Sequence, residues 1–111
     1  MDPRNLHIRL EHALRSVQWD CPGGNEYFLV GDGDQFYFDV IQSALDRHFP
    51  SEAIWSSPSR HEAILLERAS ASETIALHVK RTGSFTVFDE DLHKFMQFTK
   101  TGVARQGKLA S

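Results

Sequence analysis

The sequence has almost no cysteine and no long apolar run. Cys21 is the single cysteine of the chain, so an intrachain disulfide is excluded and the fold has to be stabilised by packing. No segment reaches the roughly 20 apolar residues of a membrane helix, and residues 1–5 lack the apolar stretch of a signal peptide. These absences lead us to expect a cytoplasmic protein that does not bind membranes.

Local signatures of catalysis and of nucleotide binding are also missing. The chain contains no G-x-S-x-G, no G-x-G-x-x-G and no lysine placed as in a Walker motif. Cys21 precedes a predicted Pro-Gly-Gly turn, and Ser56, Ser57 and Ser59 fall in a segment whose composition predicts a polar loop, so none of them has a recognised nucleophile context. We therefore assign no catalytic residue from the sequence.

The segment Val-Gly-Asp-Gly-Asp-Gln-Phe, residues 30–36, begins like a calcium-binding loop. Counted from Asp32, an EF-hand loop needs an oxygen ligand at its fifth position, glycine at its sixth and glutamate at its twelfth. Those positions hold Phe36, Tyr37 and Ser43. The match fails, and the glycines and carboxylates predict a bend that joins two elements.

Six histidines are the remaining candidates for a metal site. They are His7, His12, His48, His61, His78 and His93. His7 and His12 are five residues apart, which turns them away from each other on a helix, and Asp89 with His93 has the spacing of a local ion pair. Zinc normally takes three or four protein ligands, so we expect neither a metal nor any other cofactor.

The size and composition indicate one domain with one core. The chain has 111 residues, of which 41% are hydrophobic, and eight Phe supply large side chains for burial. We expect a single α+β domain over residues 1–102. Residues 103–111 have little apolar content and are expected to form a flexible C-terminal tail.

The first half of the chain predicts two helices and a strand. Apolar residues at three- and four-residue spacing indicate a helix over 3–17, and the aromatic and β-branched segment 26–30 indicates a strand at a sheet edge. A second apolar stripe, which includes Phe36, Tyr37 and Val40, predicts a helix over 35–49 that ends before Pro50. The alternation in residues 35–39 also fits the second strand of a hairpin, and this alternative stays open.

The second half predicts short strands and a closing helix. The strands are 53–55, 62–68, 74–80 and 84–88, joined by short turns. Asp89 as a cap and Gly102 as a terminator predict a helix over 89–102. The fold class is therefore α+β, with an antiparallel meander of about four to five strands, the order α-β-α-β-β-β-β-α and helices mainly on one sheet face.

Charge is unevenly distributed along the chain. Residues 1–55 hold nine acidic and four basic residues, a net charge of −5, whereas residues 56–111 hold six acidic and eight basic residues, a net charge of +2. An acidic half argues against nucleic acid and permits a basic protein partner, and ordinary solvated faces are the alternative explanation of the same charges. The candidate binding residues are Asp32, Asp34, Asp39 and Asp46.

Three functional hypotheses follow. The first is a non-catalytic protein that binds another protein, such as a bacterial toxin-immunity protein or a secretion chaperone, because the size and the acidic half suit such proteins. The second is a small hydrolase or transferase with a pocket that gathers His48, His78 or His93 with a carboxylate. The third is a ligand-sensing or self-associating domain, since an exposed edge strand allows a homodimer.

Overall fold

In a computed structural model, an antiparallel sheet separates two helical layers. The structure describes residues 3–20, 27–32, 35–59 and 61–109, which form three α-helices and nine strands. The helices are α1 (Pro3–Leu14), α2 (Phe38–His48) and α3 (Ala71–Thr82). The strands are β1 (Val17–Trp19), β2 (Phe28–Leu29), β3 (Gly31–Asp32), β4 (Gln35–Phe36), β5 (Ile54–Ser59), β6 (Glu62–Leu66), β7 (Ser84–Phe88), β8 (Lys94–Thr99) and β9 (Val103–Leu109).

Seven of the described strands form the sheet, in the order β1-β9-β8-β7-β5-β6 with β2 also on β9. β1 pairs with the C-terminal end of β9, where Trp19 is opposite Gly107. β2 pairs with the beginning of the same strand, where Phe28 is opposite Ala104. The two short strands therefore share one edge of β9, and β3 and β4 form a separate ribbon.

Helices α2 and α3 cover one face of the sheet and enclose the larger core. Each helix buries residues at three- and four-residue spacing, as an amphipathic helix does. The buried residues are Ile41, Ala44, Leu45 and His48 in α2, and Ala71, Ser72, Ile75, Ala76 and Val79 in α3. They pack on strand residues such as Val87, Met96 and Phe98.

Helix α1 covers the opposite face. Its Leu6 and Leu10 are 1% and 4% exposed, and they pack with Phe88, Leu92 and Phe95 in a second buried cluster. Phe88 and Phe95 are paired in the register of β7 and β8, so both project from the same face. The sheet is thus covered by helices on both faces. The prediction that the helices pack mainly on one sheet face holds for α2 and α3, whereas α1 packs on the opposite face.

The α+β class and the antiparallel sheet are confirmed, and the question of residues 35–39 is resolved. The segment divides: Gln35 and Phe36 form β4, paired with Asp32 and Gly31 of β3, and α2 begins at Phe38. The segment 30–36 therefore contains a hairpin, as its alternation indicated, followed at once by the predicted helix.

The strand predicted over 74–80 is wrong, because these residues belong to α3. The alternation of Ile75, Leu77 and Val79 suggested a strand, but Leu77 is 58% exposed and Ala76 is buried. The helical spacing thus decides the buried face. Helix α3 ends at Gly83, which has φ +91° and donates its N–H to the Val79 carbonyl.

The closing helix predicted over 89–102 and the flexible tail predicted over 103–111 are wrong for the residues that the structure describes. Residues 94–99 form β8, and residues 103–109 form β9, which is enclosed between β8 and the β1 and β2 edge. The carboxylate of Asp89 caps a turn, not a helix. Strand β8 buries Phe95 and Met96 on its two faces, as a strand inside a sheet does. In β9, non-local pairing satisfies the backbone of a segment that has little apolar side-chain area of its own.

Candidate functional site

The predicted acidic residues lie on the β3–β4 ribbon and on α2. Asp32 is in β3, Asp39 is in the first turn of α2, and Asp46 is two turns further along this helix; all three are exposed. Asp34 lies outside the described residues. Asp46 is paired with Arg68, whose Nη1 is 3.2 Å from its Oδ1, so the uncompensated negative charge is concentrated at Asp32 and Asp39.

Exposed apolar side chains adjoin these two carboxylates along the chain. Tyr37, Phe38 and Val40 are 38%, 46% and 39% exposed. Helix α2 directs Ile41, Ala44, Leu45 and His48 into the core, and this leaves its first turn facing outward. We call the set Asp32, Tyr37, Phe38, Asp39 and Val40 the α2–hairpin surface.

A groove extends this surface toward α3. Its volume is about 300 Å³, and it is lined by Gln35, Phe36, Tyr37, Phe38 and Lys80. Leu77 is one turn before Lys80 on α3 and is 58% exposed. The surface therefore combines aromatic and aliphatic side chains with two carboxylates and one ammonium group at its margin.

Close backbone packing holds the ribbon in place. The Gly102 carbonyl accepts the N–H groups of Val30 and Gly31 at 2.8 and 3.0 Å. Gly102 has φ +88°, and a Cβ on this residue would be 2.7 Å from the Gly31 oxygen. Only glycine fits this approach, so the turn between β8 and β9 positions the α2–hairpin surface from the other end of the chain.

His48 and His78 do not form the pocket that the enzyme hypothesis required. His48 is buried, and its Nε2 is 3.0 Å from the Gly107 carbonyl oxygen. Burial lowers the pKa of His48, although the hydrogen bond to Gly107 and the charge of Asp20 oppose this shift. His78 stacks on Phe85 at 4.8 Å. Both rings thus have structural contacts.

The third histidine of that hypothesis, His93, lies beside two carboxylates in the β7–β8 turn. Ligand atoms of Asp89, Asp91 and His93 lie within 4.8 Å of one another. Oδ1 of the buried Asp89 accepts the N–H groups of His93 and Lys94 at 2.7 and 3.0 Å. These bonds make Asp89 the residue that closes the turn, so its carboxylate has a structural role. The prediction of a helical ion pair between Asp89 and His93 is wrong, because residues 89–93 form a turn and not a helix.

An open cavity of about 540 Å³ separates α1 from this turn. Its lining mixes apolar and polar side chains: Ile8, Arg9, His12, Ala13, Ser16, Asp91, Leu92 and Leu109.

An ion pair connects Lys94 and Glu52. Lys94 Nζ is 2.6 Å from Glu52 Oε2, and this hydrogen bond lowers the pKa of Glu52. The pair joins β8 to the segment after α2, so it is part of the framework.

Tyr37, Phe38 and Val40 are the functional candidates that the sequence interpretation missed. It placed Phe36, Tyr37 and Val40 together on the buried stripe of a helix beginning at residue 35. A helix beginning at Phe38 has its stripe on Ile41, Ala44, Leu45 and His48, and Val40 is off that stripe. The hairpin pattern in residues 31–36 was the signal that could have separated the two groups.

Comparisons with protein families, with curated proteins and with solved structures find no match to this chain. Among the described residues, no helix has both the length and the apolar character needed to cross a membrane.

Proposed function

We propose that this protein binds another protein, and that a basic partner engages the α2–hairpin surface. The observation that carries the proposal is the exposure of Tyr37 and Phe38 at one groove, with the exposed carboxylates of Asp32 in the preceding ribbon and Asp39 in the same helix turn. Interface centres are enriched in aromatic residues, whereas isolated exposed apolar residues are ordinary. Here Tyr37 and Phe38 are two such residues at one groove, and Val40, two positions after Phe38, lies on a different side of α2.

The charges support a partner of opposite sign. Asp32 and Asp39 have no ion pair among the described residues, whereas Asp46 is paired with Arg68. Carboxylates beside an apolar patch accelerate the encounter with a basic surface and select against acidic ones. An inhibitor that covers a basic active site, as a bacterial toxin-immunity protein does, or a secretion chaperone would use a surface of this kind.

A stable interface would cover a modest part of the molecule. A stable interface buries about 800 Å² on each partner, which is roughly an eighth of the accessible area of 6589 Å². The α2–hairpin surface together with Leu77 and Lys80 on α3 would form the centre of such a contact. The neighbouring exposed residues of α2, Ser43 and Arg47, would belong to its rim.

Affinity capture from a lysate of the native host tests the proposal. We expect the immobilised protein to retain a basic protein in stoichiometric amount, with an association rate that falls as salt rises, because screening weakens steering. The Asp32→Lys/Asp39→Lys variant should lose the partner. Glu90→Lys/Asp91→Lys, which makes the same charge change in the β7–β8 turn, should retain it.

A third variant separates the apolar contribution. Phe38→Ala should shorten the lifetime of the complex with little effect on its association rate, since apolar contacts act mainly on dissociation. Capture of no stoichiometric protein, or equal loss in both charge-reversal variants, would show that this surface is not the binding site.

A further inference from the structure

Ser57, His7 and Glu11 form a hydrogen-bonded chain where α1 crosses β5. Oγ of Ser57 is 3.2 Å from Nδ1 of His7, and Nε2 of the same ring is 3.1 Å from Oε1 of Glu11. The serine is 8% exposed, and the glutamate side chain is 62% exposed. A hydroxyl, an imidazole and a carboxylate are thus connected in the order that nucleophilic hydrolases use.

The packing of α1 brings these residues together. Leu6 and Leu10 are buried on the sheet, and His7 and Glu11 occupy the adjoining helix face at the i,i+4 spacing that lets them pair. Ser57 is 50 residues away in sequence. No local motif could therefore have indicated the contact.

The backbone of β5 separates two neighbouring serines. The pairing of β5 with β6 is irregular between Ser56 and Ser59, as at a bulge, which redirects side chains. Ser56 donates its hydroxyl to the Thr86 carbonyl at 2.7 Å, which ties it into the sheet. The hydroxyl of Ser57 lies within hydrogen-bond distance of the His7 imidazole.

We propose that Ser57 is a nucleophile that takes a small acyl group from an activated ester and passes it to water. In the tautomer with its proton on Nε2, His7 donates to Glu11 and accepts the Ser57 proton at Nδ1. Oγ then bonds to the carbonyl carbon, the bond to the leaving alkoxide breaks, and the imidazolium returns the proton to that alkoxide. Water, deprotonated by His7, attacks the acyl-serine and releases the carboxylic acid, and the proton returns to Ser57.

The burial of Ser57 limits the substrate, because a side chain that is only 8% exposed can be reached by a small acyl group and not by a long acyl chain. A cavity of about 160 Å³ adjoins the same imidazole and is lined by Arg4, His7, Ile8 and Glu11, without Ser57. Glu11 acts through His7 and is a positioning residue.

Labelling of the intact protein tests the nucleophile directly. We expect a fluorophosphonate probe and p-nitrophenyl acetate each to modify Ser57, located by peptide mass spectrometry. His7→Gln should lower the rate of Ser57 labelling by about 100-fold or more, the usual contribution of a general base. His12→Gln, an exposed histidine of the same helix, should leave the rate unchanged.

Further variants complete the test. Ser57→Ala should abolish nitrophenolate release above the background of lysine acylation, and Glu11→Gln should lower kcat without raising KM. A melting curve for each variant shows that it is folded. The proposal is overturned if the unmodified protein shows no adduct at Ser57, or if His7→Gln and His12→Gln label at the same rate, and neither result depends on the folding of Ser57→Ala.

Discussion

At the residue scale, His48 shows how a polar side chain becomes part of the core. It is the last buried residue of α2. Its ring centroid is 5.0 Å from that of Phe49 in a T-shaped arrangement, and its Nε2 is 3.0 Å from the Gly107 carbonyl oxygen. A neutral imidazole satisfies these contacts by donating from Nε2 to the carbonyl. Charging the buried ring would place a cation among apolar groups, which is unfavourable.

Stability should therefore depend on the protonation of His48. Burial lowers its pKa from the ordinary value of 6.5; Lys94 and Lys108 act in the same direction and Asp20 opposes them. Below about pH 6.5 the unfolded chain then binds more protons than the folded protein, so the free energy of unfolding should fall as the pH falls.

Urea unfolding between about pH 7.5 and 5.5 measures this dependence. His48→Gln should be less stable at the upper pH and should lose part of the pH slope. The exposed His12 provides the control, because His12→Gln should keep the slope of the wild type. An unchanged slope in His48→Gln would show that other groups cause the dependence.

At the scale of elements, β9 joins parts of the fold that are far apart in sequence. It pairs with β8 along one edge and with β1 and β2 along the other. The N–H of Leu109 also donates to the His93 carbonyl at 2.7 Å. β9 buries little apolar area, with Ala104 and Gly107 as its buried residues, yet it supplies backbone partners to three strands.

Removal of β9 should therefore unfold the protein. A chain that ends after Gly102 would leave both edges without hydrogen-bond partners and would expose Phe28 and Phe98. We expect no cooperative melting transition by circular dichroism for this truncation, whereas deletion of residues 110–111 alone should preserve the transition. Cooperative melting of the shorter chain near the wild-type temperature would contradict the structural role of β9.

At the scale of the whole molecule, the sheet separates the two proposed sites. The α2–hairpin surface lies on the α2 and α3 side, and the Ser57–His7–Glu11 chain lies under α1 on the other side. No residue is shared between them. The two functions should be independent, because distant sites without common partners behave additively.

Crossed measurements test this independence. Asp32→Lys/Asp39→Lys should lose partner capture and keep the wild-type rate of Ser57 labelling. Ser57→Ala should lose labelling and keep capture. If partner binding instead blocks labelling of Ser57 in the wild type, the bound partner extends to the α1 face and the two surfaces form one site.

Long periodic patterns in the sequence predicted the right elements more reliably than short ones. Helices α1 and α2 were predicted within three residues at each end, because long amphipathic stripes have one clear period. α3 was predicted as a strand, because an alternation of three apolar residues over 75–79 fits both periods. Among the site residues, the exposure of Asp32 and Asp39 followed from their charge, whereas the exposure of Phe38 depended on where α2 begins.

The amino-acid sequence by itself determined the α+β class, the reliance on packing without disulfides and the acidic character of the first half, since these follow from composition and local periodicity. Tertiary structure alone decided that residues 94–99 and 103–109 are strands and that His7 meets Ser57 across 50 residues. The reason is that strand pairing and side-chain encounter are non-local: their hydrogen bonds form between segments whose proximity no local pattern encodes.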